Sequence, residues 1–87
     1  MKRFYAYILK SRNGSYYVGS TNDRDVRLSY HNDGKVKSTK SGRPWKMIYS
    51  ESFDTLGDAR KRELQIKNWK SRAAIERLIK TALSSNG

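Results

Sequence analysis

Tyr7 and Tyr17 are followed by Arg27 and His31, four residues apart, and much later by Glu63. These residue types together could hydrolyse a phosphodiester. That reaction needs a deprotonated water, a grip on the phosphoryl oxygens, an offset for transition-state charge, and a proton or metal ion for the leaving oxygen. Arg27 can fork onto phosphate oxygens. Glu63 can bind one hard divalent cation, best a magnesium ion that keeps several waters. His31, the chain's one histidine, can relay a proton or fix a tyrosine hydroxyl. A tyrosine ionises near pH ~10, so it is a poor base unless cations lower its pKa. Arg27 and a metal ion are expected to do so.

The elements that must position these groups are legible from pattern. Residues 4 to 10, FYAYILK, and 15 to 19, SYYVG, read as a hairpin across the turn signal Asn13-Gly14. Alternation places Tyr5, Tyr7 and Leu9 on one face of the first strand, and Tyr17 with Gly19 on one face of the second. Thr21 or Asn22 can cap a short helix over about 23 to 32, ending near Gly34, in which Arg27 and His31 project from one side. Residues 34 to 46 read as an irregular segment, and 47 to 53 as a third strand. Thr55 caps the main helix, which reaches 69 or 70 and carries Ala59, Glu63 and Ile66 on one stripe. Ser71 caps a last helix with Ile75, Leu78, Ile79 and Ala82 on its apolar face. The order is β-β-α-β-α-α. The expected fold is α/β in the α+β sense, a central three-stranded antiparallel sheet flanked by helices, forming one domain over 1–83 with a flexible tail at 84–87.

Composition narrows the function. The 87 residues carry a formal net charge of +11, which favours a polyanionic partner, nucleic acid first. The absence of cysteine excludes a disulfide scaffold and a thiolate zinc site, and one histidine excludes multi-histidine metal sites. No apolar stretch approaches membrane-spanning length, and the basic start MKRFY does not lead into a signal peptide. A cytoplasmic protein with no membrane partner is expected.

The segments Tyr5-Ala6-Tyr7 and Tyr17-Val18-Gly19 resemble the paired motifs of the GIY-YIG nuclease superfamily. The longer text YAYILKSRNGSYYVGSTNDRDVRLSYH is similar to its small single-domain branch, related to the catalytic part of the UvrC repair nuclease. The similarity continues through GRPWKMIYSESFDT and DARKRELQIKNWKSRAAIERLI. The resemblance implies a small α/β domain and a single magnesium or manganese ion on Glu63. It gives Tyr7 the place of the general base or its hydrogen-bonding network. Tyr17 would position phosphate and water, Arg27 would bind phosphate, and His31 would assist or orient the base. Gly19 matches the motif glycine that lets the chain pass close to the site. The first motif departs from the family name, with Tyr5-Ala6 where Gly-Ile is expected.

Lys35, Lys37, Lys40, Arg43 and Lys46 form a basic loop suited to duplex contact. Phosphate contacts give affinity without sequence information, so structure-selective or weakly specific action on double-stranded or branched DNA is expected, as in repair or recombination. The leading expectation is a divalent-metal-dependent endonuclease or nickase. One alternative is a DNA-binding module with weak or no cleavage of its own, targeted by a homodimer or a partner protein. Another is a structural interaction domain with a basic surface.

Overall fold

The computed structural model describes residues 3–84. Strand β1 (Phe4–Ser11) and strand β2 (Tyr16–Thr21) form the hairpin, and helix α1 (Arg24–Asn32) follows. A 3₁₀ turn (Lys37–Gly42) leads into strand β3 (Trp45–Phe53), then helix α2 (Leu56–Asn68) and helix α3 (Arg72–Ser84). The sheet is antiparallel with order β2-β1-β3, so β1 lies in the middle. Fold class and element order are as the pattern indicates. Ser84 ends α3, and the rest of the expected tail lies outside the described residues.

Strand alternation divides the core into two layers. On one face Tyr7, Leu9 and Trp45 are buried with Tyr17, Leu28 and Met47 packed against them. On the other Ile8, Val18 and Ile66 are buried, flanked by Trp69 at the C-cap of α2 and by Ile75, Leu78 and Ile79 of α3. Each such aliphatic or aromatic side chain contributes about 1.5–3 kcal/mol on full burial. Helix α1 therefore covers the tyrosine face, and α2 with α3 covers the reverse.

The helix ends fix where the functional groups stand. Asp23, rather than Thr21 or Asn22, caps α1 by accepting from the Val26 amide at 3.1 Å. The Thr21 hydroxyl accepts from the Asp23 amide at 3.1 Å, which moves the cap one residue along. At the other end the Gly34 amide reaches the His31 carbonyl (3.2 Å) and the Lys35 amide the Tyr30 carbonyl (3.1 Å). This Schellman closure needs a left-handed residue, and Gly34 supplies it with φ of 78°. Thr55 and Ser71 cap α2 and α3 through the Asp58 amide (3.1 Å) and the Ala74 amide (3.2 Å).

Strand β3 begins at Trp45, two residues before its expected start. The Trp45 amide and carbonyl are both bonded by the Asn32 side chain at 2.6 and 3.0 Å, which ties the strand's start to the end of α1.

Candidate functional site

Tyr7 projects from the central strand into the α1 face and is 1% exposed. Its cross-strand partner is Gly19, whose bare backbone leaves room for the ring to extend over β2. There the hydroxyl lies 3.0 Å from His31 Nε2 and 3.4 Å from Arg27 Nε, which donates to it. Tyr17 sits diagonally across the same face, its ring centroid 6.5 Å from Tyr7 and 4.8 Å from His31. The i, i+4 spacing on α1 thus aims Arg27 and His31 at one phenol.

Behind His31 stands Thr39, a residue the sequence reading did not single out. His31 is fully buried and Thr39 is 1% exposed. His31 Nδ1 lies 2.8 Å from Thr39 Oγ1, and the Thr39 hydroxyl donates to the Val36 carbonyl at 3.2 Å. A carbonyl only accepts, so the hydroxyl's one hydrogen is spent there and His31 Nδ1–H is the donor to Thr39. In the neutral ring Nε2 then carries the lone pair, and Tyr7 donates to it. Trp45 locks the turn from beyond by donating Nε1–H to the Thr39 carbonyl at 2.7 Å.

Electrostatics agree with a neutral pair. Burial, and then the Arg27 charge, lower the His31 pKa. Burial raises the Tyr7 pKa, although the hydrogen bond and charge of Arg27 pull it down. Arg27 thus acts on Tyr7 in the expected direction, but the loss of hydration outweighs the guanidinium by itself. Arg27 is held more firmly in its charged form, chiefly by its bond to Tyr7.

Glu63 reaches the cluster from a different direction. Its helix packs on the reverse face, and Glu63 Oε1 accepts from Ser20 of the edge strand β2 at 2.7 Å. Its other oxygen is paired with Lys67, one turn along α2. The Lys67 ammonium in turn lies 5.9 Å from the Tyr17 ring centroid. The carboxylate thus sits at the β2 edge with its side chain 18% exposed, and Lys67 links it to the Tyr17 ring. Among the described residues no group of three or more His, Cys, Asp or Glu side chains converges.

The basic segment is more ordered than its composition indicates. Lys37 and Lys40 are exposed on the 3₁₀ turn whose inward residue is Thr39. Lys35 lies over the Tyr30 ring at 4.9 Å, Arg43 Nε donates to the Lys40 carbonyl at 2.8 Å, and Lys46 is exposed on β3. Trp45 is 7% exposed and packs in the core.

Residues 3–80 match the GIY-YIG catalytic domain. The chain belongs to the GIY-YIG superfamily. It is 43% identical over 70 residues to a UPF0213 protein of Staphylococcus saprophyticus, a match covering 79% of this chain and 85% of that protein. It is 44% identical over 82 residues to a UPF0213 protein of Syntrophus aciditrophicus, covering 92% and 93% of the two chains. Two solution structures share its GIY-YIG topology. One is a UPF0213 protein from Bacillus halodurans, with TM-score 0.59, 32% identity, and coverage of 91% of this chain and 84% of that one. The other is a protein from E. faecalis, with TM-score 0.63, 36% identity, and coverage of 93% and 86%. Membership in this nuclease-associated superfamily supports a nucleic-acid-interacting module. No helix among the described residues is long and apolar enough to cross a membrane.

Proposed function

We propose that the protein is a DNA-binding module of the GIY-YIG superfamily that engages the phosphate backbone of double-stranded or branched DNA. The observation that carries this reading is the Arg27–Tyr7–His31 constellation on a chain of net charge +11. Arg27 makes no ion pair among the described residues, so its charge is uncompensated and suited to meet a phosphate. Lys37, Lys40, Arg43 and Lys46 extend the contact to one side, and Lys35 adds charge beyond Tyr30. Binding of duplex, nicked and branched DNA across a salt series tests it. Affinity should fall steeply with salt, and salt-independent or absent binding sinks the reading in favour of a basic protein-interaction domain.

A second reading, hydrolysis of the bound phosphodiester, is supported by the direction of the Tyr7–His31 bond. His31 Nε2 is placed to take the Tyr7 proton, leaving the phenolate oxygen to accept a proton from water. Arg27 would hold the phosphoryl oxygens and offset the growing charge. Thr39 would keep the imidazole in the tautomer that can accept. Tyr17 would wall the site beside His31.

Glu63 fits one divalent cation by donor chemistry, as a hard, partly exposed carboxylate with water and phosphate oxygens as further donors. Such an ion would supply Lewis-acid stabilisation of the leaving oxygen. It would have to displace the Lys67 ammonium from Glu63. That competition favours weak cleavage by the domain alone. Incubating nicked, branched and supercoiled DNA with Mg²⁺ or Mn²⁺ tests hydrolysis, and cleavage unchanged by Glu63→Ala would remove the metal assignment.

A further inference from the structure

Arg24 lies one turn before Arg27 on α1, and its surroundings repeat those of Arg27 one step along the sheet. Its guanidinium carbon is 4.2 Å from the centroid of the Tyr5 ring. Tyr5 is two residues before Tyr7 on β1 and shares its face. One Arg24 N–H donates to the Ser50 hydroxyl at 3.0 Å, and Ser50 is the β3 partner of Tyr7. Arg24 is thus anchored between two strands by a stacked ring and a hydroxyl, neither of which neutralises it.

Two other arginines that bond to strand residues or their flanks are differently occupied. Arg3 is paired with Asp54, and Arg62 with Glu51. Arg24 is exposed and has no carboxylate partner among the described residues. Stacking uses the face of a guanidinium and leaves its edge, so four of its five N–H donors stay open. Asp23 is turned into the α1 cap. Asp25 borders the same shallow depression as Arg24 and Ser50, so an anion at Arg24 must keep to the part of its guanidinium edge away from that carboxylate.

We propose that Arg24, steadied by Tyr5 and Ser50, binds the backbone phosphate adjoining the one held at Arg27. The proposal rests on the DNA-binding reading above and adds a path to it. Tyr5 and Tyr7 are about 7 Å apart by strand rise, close to the reach of one nucleotide of backbone. The polynucleotide then runs along β1 from Tyr7 toward Tyr5, away from the 3₁₀ turn and its lysines.

Two measurements on the full chain test this. The first is the salt dependence of duplex binding. Arg24→Gln is expected to weaken binding roughly tenfold, the worth of one charge-assisted contact, and to lower the logarithmic salt slope by about 0.9. Arg24→Lys, which keeps the charge, should restore the slope. The second compares thymidine monophosphate with the dinucleotide pTpT. The dinucleotide should bind more tightly to the parent protein, and Arg24→Gln should abolish that gain while the monophosphate still binds at Arg27. An unchanged salt slope, or a dinucleotide gain that survives Arg24→Gln, overturns the second phosphate site while duplex binding by the parent protein stands. Failure of the parent protein to bind any of these probes overturns the DNA-binding reading itself, and this site with it.

Discussion

Gly19 and Tyr7 occupy one volume: a Cβ on Gly19 would stand 2.5 Å from the Tyr7 hydroxyl oxygen and 2.6 Å from the ring carbon that bears it. Those atoms cannot give way freely, because the hydroxyl is held by His31 and the ring is buried. Gly19→Ala should therefore cost about 1–3 kcal/mol by overpacking and break the Tyr7–His31 bond. Urea unfolding gives the first quantity. The second shows as loss of whatever DNA cleavage the parent protein has, with duplex affinity reduced far less.

Thr39→Val keeps shape and removes the acceptor for His31 Nδ1–H. A buried donor left unpaired costs about 1–3 kcal/mol, so the midpoint of unfolding should fall, while Thr39→Ser should recover most of it. Nitrogen NMR of the His31 ring checks the mechanism, since the parent protein should show Nδ1 protonated and the valine variant a mixed tautomer.

His31 also sets an acid limit. Its folded pKa lies below the unfolded value of about 6.5, through burial and then the Arg27 charge. As pH falls past that value the unfolded chain takes up the proton first, so stability is full above it and declines toward the folded pKa. His31→Gln should flatten this decline in urea midpoints. On the alkaline side Tyr49, pushed up to about 12 by burial and by its bond to Glu51, reverses the sign. Its stabilisation is present below about pH 10 and is lost as pH rises toward the folded value. Ultraviolet titration should show a late-ionising phenol that Tyr49→Phe removes.

Glu63→Gln deletes one negative charge and frees the Lys67 ammonium from its partner. Duplex affinity should rise and the salt slope steepen by about one, with divalent-dependent cleavage abolished. Lys67→Gln on that background should return the slope to its parent value. Weaker binding by Glu63→Gln would show that the carboxylate organises the DNA-contacting surface rather than opposing it.

The hairpin and the convergence of Arg27 with His31 were legible because each follows from a fixed local period, whereas the shared face of Tyr7 and Tyr17 needed the hairpin register as well. Thr39 was not. It lies in a run of lysines whose composition reads as solvated loop, and one inward threonine among outward cations leaves no periodic trace. The direction of the Tyr7 shift was equally hidden, because sequence displays the neighbouring arginine but not the depth of the phenol. Glu63 read as inward-facing on its stripe with Ala59 and Ile66, yet both of those are buried while it stops at the sheet edge between Ser20 and Lys67.

The placement of β1 between β2 and β3 ties the fate of the site to that of the whole molecule. Tyr7 belongs to the strand that both neighbours hold, which is expected to be among the last parts of the sheet to open. A nucleic acid must meet the phenol as it stands, and a change that loosens it will be registered first as a protein more easily degraded.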